Sequence, residues 1–118
     1  MDANFPRYEA EVALLEAALR HPNLQATIDD VRRVVVCPEG VNLKNFGMVP
    51  MQLQTHGIIV KVGHAYTERR IAHGREVSLW QIADVGAARK RLEHLRQLVK
   101  AKAKRAVAAT RSVQIKLF

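Results

Sequence analysis

The side chains best suited to chemistry in this chain are cations and amides, and they fall into three stretches. Lys44, Asn45, Gln52 and Gln54 make up the first, Arg69, Arg70 and Arg75 the second, and Arg89, Lys90, Arg96, Lys100, Lys102, Lys104 and Arg105 the third. Ammonium and guanidinium groups bind phosphate oxygens, and the amides of Asn and Gln pair bidentately with the edge of adenine. The chemistry implied is recognition of a phosphate polymer, duplex DNA first. Charge placement sharpens this. Residues 1–85 hold nine basic and ten acidic residues, a balance of −1, whereas residues 86–118 hold ten basic residues against Glu93 alone, a balance of +9. The whole excess of +8 therefore sits in the last quarter of the chain, where counterion release favours a polyanion.

Catalytic patterns are missing from the sequence. It has no Ser/His/Asp set, no Gly-rich phosphate loop, no paired-carboxylate motif and no metal-ligand spacing, so no enzyme activity, cofactor or metal is expected. His64 and His73 flank a basic stretch that disfavours a divalent cation, and they read as surface histidines. The lone Cys37 cannot form an internal disulfide and reads as a small buried side chain after Val34-Val35-Val36.

Periodicity supplies the elements that must position these groups. Tyr8, Val12, Leu15, Ala18 and Leu19 predict a first helix from Tyr8 to His21, with Glu9, Glu11 and Glu16 off its apolar face and Pro22 closing it. Thr27 followed by Asp29 and Asp30 predicts an N-cap opening a second helix through Val31, Val34 and Val35. Leu43, Phe46, Val49 and Leu53 predict a third between Asn42 and His56, stopped by Gly57. Pro50 leaves two versions of it, one kinked and one beginning near Gly47-Met48. Residues 58–62 and 77–82 predict two strands joined by a long basic loop. Ala88, Leu92, Leu95 and Val99 predict a stripe on a final helix from Val85 to about Thr110, whose distal half projects into solvent.

Three helices followed by a strand, a long loop and a returning strand is the order of a winged helix-turn-helix domain. Phe46-Gly47, His56-Gly57-Ile58-Ile59, Arg69-Arg70, Ala72-His73-Gly74-Arg75 and Val77-Ser78-Leu79-Trp80 resemble small winged-helix proteins common in bacteria and their phages. The resemblance covers about residues 8–84. It implies a mainly α fold with a β-hairpin wing, in which the third helix meets the major groove and the wing arginines meet phosphates or a narrow minor groove.

The sequence ends Gln114-Ile115-Lys116-Leu117-Phe118, which resembles the pentapeptide by which many bacterial proteins bind the sliding clamp, the polymerase β subunit. The resemblance implies that Leu117 and Phe118 fill a deep apolar pocket, Ile115 a shallower one, and that the Gln114 amide makes directional hydrogen bonds. The expected organisation is a winged helix-turn-helix domain at 1–84, a basic helical extension at 85–112 and a clamp-binding tail at 113–118. No apolar run is long enough to span a membrane and no basic start precedes an apolar stretch, so a cytoplasmic, nucleoid-associated protein is expected. The function expected is a DNA-binding accessory factor of replication or repair tethered to the clamp. A winged-helix transcription regulator with a coincidental tail, or a protein-interaction adaptor of the replisome, are the competing classes.

Overall fold

The computed structural model describes residues 3–66 and 76–116, with side chains of the final helix described to Arg105. Among the described residues four helices and three strands follow in the order α1 (Arg7–Arg20), β1 (Gln25–Ala26), α2 (Ile28–Arg32), α3 (Asn45–Thr55), β2 (Ile59–Tyr66), β3 (Glu76–Ile82) and α4 (Val85–Lys116). The sheet is antiparallel throughout, with β3 between β1 and β2. Its inner face presents Ala26, Ile59, Trp80 and Ile82 to the core, and its outer face pairs Gln25 with Gln81 through an amide hydrogen bond of 3.2 Å. The period-2 alternation of a strand fixes this division.

The core is built where the apolar periods meet. Ala10, Leu14 and Leu15 of α1, Val31 of α2, Phe46, Val49 and Leu53 of α3 and Ala88, Leu92 and Leu95 of α4 are all buried together with the inner face of the sheet. Each fully buried Leu contributes about 1.5–3 kcal/mol. Phe5 meets Phe46 edge to face at 5.1 Å, and the Arg32 guanidinium lies 4.8 Å from the centroid of the same ring, tying α2 to α3.

Several local expectations are corrected. The second helix stops at Arg32 after five residues. Asp30 accepts the Thr27 N–H at 2.9 Å as expected of a capped start, but Val34 and Val36 are 69% and 83% exposed and only Val35 turns inward. The chain then runs without regular structure from Arg33 to Lys44, a connection of twelve residues between α2 and α3, in which the Cys37 thiol is half-buried and donates to the Val41 carbonyl at 3.4 Å.

The third helix does not begin near Gly47-Met48, the later start the proline suggested. It begins at Asn45 and carries Pro50 in its interior, buried. Tight turns lead into it, the N–H groups of Asn45, Phe46 and Gly47 bonding the carbonyls three residues back at 3.1 Å. Leu43 precedes the helix and is exposed. At the other end Gly57 adopts φ +72°, and the N–H groups of Gly57 and Ile58 bond the carbonyls of Gln54 and Leu53 at 2.9 and 3.0 Å. This 5→2 and 6→1 pair closes the helix and needs a residue that tolerates the left-handed region.

Two features of the sheet were not expected. β1 forms after a turn in which Leu24 sits at φ +57°, its carbonyl accepting the Ile82 N–H at 2.9 Å. β2 runs four residues further than the predicted strand, to Tyr66, and its pairing steps from Lys61 opposite Trp80 to Gly63 opposite Leu79, so Val62 is the extra residue of a β-bulge.

Candidate nucleic-acid interface

The final helix positions most of the candidate cations. Asp84 caps it, its Oδ1 accepting the Ala87 N–H at 3.0 Å, and no Gly or Pro follows Gly86 to interrupt it. It runs 32 residues, to Lys116, about 48 Å at 1.5 Å per residue. It is longer than the predicted helix because residues 111–116 continue the same backbone. Its first four turns are part of the core rather than an appendage, since Ala88, Leu92 and Leu95 are buried.

Ion pairs with α1 sort the cations of α4 into two groups. Glu11, 0% exposed, receives Arg91 Nη2 at 3.2 Å and lies 3.6 Å from Arg7 Nε. Arg96 reaches Glu16 at 3.4 Å and Lys102 reaches Glu9 at 3.3 Å. The expectation that Glu11 lies off the packed face is thus reversed. Its carboxylate is buried where α4 crosses α1, and two arginines compensate its charge. Arg91 was absent from the candidate set, although its position four residues before Leu95 and three after Ala88 puts it at the edge of the packed arc.

Arg89, Lys90, Lys100, Lys104 and Arg105 are exposed and have no ion pair among the described residues. A helix advances about 100° per residue, so Arg89, Lys100 and Lys104 fall within about 60° of one another, on the side turned away from Leu95, with Arg89 flanking Leu92. Glu93 is the one acid on that side. The result is a cationic stripe about 22 Å long from Arg89 to Lys104, geometry that suits phosphates strung along a backbone.

The face of α3 is different in kind. Lys44 and Gln54 are exposed and Gln52 is half-buried, so these three reach solvent. Asn45 does not. It is 5% exposed and donates its amide to the Asn42 carbonyl at 2.7 Å, which removes it from the base-reading candidates. Between the polar residues, Met48 and Met51 are exposed. Arg69, Arg70 and Arg75 lie outside the described residues, as do Leu117 and Phe118, while Gln114 and Ile115 belong to the backbone of the last turns of α4.

Among the described residues no three metal-ligating side chains gather, and no helix is long and apolar enough to cross a membrane. Compared with protein-family models and with curated proteins, the chain matches none.

Proposed function

We propose that this protein is a non-enzymatic, DNA-binding accessory factor of replication or repair, held at its site of action by docking of Gln114, Ile115, Leu117 and Phe118 onto the bacterial sliding clamp. The observation that carries the reading is the cationic stripe of α4, whose Arg89, Lys100 and Lys104 are left unpaired by the acids of α1 and whose helix runs directly into the clamp-like peptide. A clamp encircles duplex DNA, so a peptide docked on it brings that stripe alongside phosphates. The last carbonyls of a helix have no intrahelical donors, and remodelling Gln114 to Lys116 on a partner costs little.

In this reading residues 1–84 form a winged helix-turn-helix domain, supported by the order of three helices and an antiparallel hairpin. The twelve-residue connection before α3 exceeds the short turn of a simple helix-turn-helix. The stripe of α4, with the wing arginines Arg69, Arg70 and Arg75, therefore supplies phosphate contact, and Lys44, Gln52 and Gln54 are secondary. A cytoplasmic, nucleoid-associated location follows from such partners.

Calorimetric titration of the full chain against a bacterial sliding clamp tests the tether. Micromolar or tighter binding that disappears in Leu117→Ala/Phe118→Ala is the expected result; equal heats from both proteins, or none from either, sink it.

One observation favours a second reading, that of a protein-interaction adaptor. Met48 and Met51, 39% and 58% exposed, lie on the outward side of α3, and flexible thioether side chains suit a protein surface better than a base edge. Met51→Lys separates the two. It preserves or raises DNA affinity if α3 faces phosphates, and removes partner binding if α3 docks on protein.

A further inference from the structure

Arg96 stands apart from the other cations of α4. It follows Arg89 by seven residues and precedes Lys100 by four, so helix geometry sets it within about 20° of the first and about 40° of the second. By position it belongs to the cationic stripe. Without it a gap of about 17 Å separates Arg89 from Lys100; with it the steps are about 11 and about 6 Å, and Lys104 follows after about 6 Å more. Its guanidinium is nevertheless engaged elsewhere, Nη2 donating across to Glu16 Oε1 of α1 at 3.4 Å. The two side chains are 50% and 35% exposed, and an ion pair so open to water adds little to stability.

We infer, on the reading of α4 as the phosphate-binding surface, that Glu16 is an internal stand-in for a phosphate. It holds Arg96 in the free protein, and Arg96 exchanges it for the backbone of duplex DNA when the stripe engages. Two physical facts set the direction of the exchange. Each phosphate neutralised on a duplex releases about 0.9 counterion, a gain that an isolated carboxylate on a protein does not offer. A phosphate approaching the donors of Arg96 that Glu16 leaves free also meets the Glu16 carboxylate at close range, and like charges there repel. The carboxylate has a second cation to turn to. Arg20, one turn further along α1, is exposed, lines the same groove as Glu16, Arg96 and Lys100, and has no ion pair among the described residues. Glu four residues before Arg is the favourable order for a pair on one helix.

The pair of Lys102 and Glu9 supplies the contrast. At 3.3 Å, with side chains 59% and 33% exposed, it resembles the pair of Arg96 and Glu16 in length and in access to water. Its place on the helix is different. Lys102 lies about 160° around α4 from Lys100 and about 140° from Arg89, at the far edge of the packed face. A duplex laid along the stripe does not reach it. Lys102 with Glu9, and the buried joint of Arg91 with Glu11, therefore keep α4 on α1 while Arg96 changes partner, so the exchange needs no movement of the helix.

Fluorescence anisotropy of the full chain on linear duplex DNA, from about 50 to about 200 mM salt, tests the exchange. Arg96→Ala is expected to make the slope of log affinity against log salt shallower by about 0.9, the signature of one phosphate contact. Glu16→Gln is expected to bind about threefold tighter at unchanged slope, because the pair no longer has to be broken. Glu9→Gln removes the same charge from the same helix and gains less. In an Arg96→Ala background the advantage of Glu16→Gln over Glu9→Gln disappears. A gain from Glu16→Gln that Glu9→Gln matches, or that persists without Arg96, is plain charge removal and overturns the inference, as does a slope that Arg96→Ala leaves unaltered. The triple variant Arg89→Ala/Lys100→Ala/Lys104→Ala judges the reading of α4 separately. If its slope equals that of the parent, the reading fails and the exchange with it; if its slope is shallower while the Glu16 and Arg96 substitutions act additively, the exchange alone fails.

Discussion

Glu11 is the residue on which the joint between α1 and α4 depends most. A buried carboxylate is tolerable only while its cations stay in place, and removing one member of such a group typically costs more than the group contributes. Glu11→Ala leaves the Arg91 guanidinium, 20% exposed, facing an apolar space. A loss of about 3 kcal/mol is expected in urea unfolding, whereas the double variant Glu11→Leu/Arg91→Leu recovers most of it, since packed leucines replace the pair. Parity between the single and double variants would show that the carboxylate acts by its volume alone. The unpaired cations call for a different measurement. Replacing Arg89, Lys100 and Lys104 together by Ala lowers the slope of log affinity for duplex DNA against log salt by about 3, given about 0.9 per phosphate contact. The fold is unaffected, because all three side chains are exposed. An unchanged slope would place the phosphate contacts elsewhere.

At the scale of elements, α3 carries a cost that can be removed. Pro50 in its interior lacks the N–H that would bond the carbonyl four residues back, a penalty of about 3 kcal/mol, while its buried ring contributes about 1.6 kcal/mol for the two methylenes an alanine would lack. Pro50→Ala is therefore expected to stabilise the protein by about 1 kcal/mol in denaturant unfolding. A destabilised variant would mean that the ring's packing outweighs the lost bond. Residues of this helix also show how far the sequence could be read. Phe46, Val49 and Leu53 stand at core spacing and are buried, as are Leu15 and Ala18 of α1 and Leu92 and Leu95 of α4, because a helix whose apolar stripe faces a large core leaves a clear period. The five residues of α2 and the two of β1 are too few to leave one, and a run of three valines does not reveal that only Val35 is buried. Leu24 adopts a positive φ usually left to Gly or Asn, so the turn before β1 had no signature. Within the candidate site, the cations of α4 were legible as a group. Which of them α1 would neutralise depended on a helix crossing that no local pattern encodes, and the same ignorance hid the burial of Glu11 and Asn45.

At the scale of the whole molecule, the principal extents are 57 × 36 × 22 Å, and the basic stripe and residues 114–116 lie on one continuous helix, α4. Two weak contacts on a common target reinforce each other when the connector spans them, by factors of about 10² to 10⁴. Deleting residues 114–118 is therefore expected to lower affinity for clamp-loaded DNA by about 100-fold while leaving affinity for linear duplex unchanged. Equal losses on both substrates would assign the tail to DNA and not to the clamp. Any device that concentrates copies on one DNA segment also brings their sheets together, and unpaired strand edges are where neighbouring chains fuse into fibrils. Here β1 covers only Trp80 and Gln81 of β3 and leaves residues 76–79 open on that side, and the β2 edge is bent by the bulge at Val62 beside an exposed Lys61. The bulge interrupts the ladder of amides along β2, so a foreign strand meets a straight run only at the uncovered stretch of β3, where the exposed Glu76 supplies the kind of charge that disfavours such pairing.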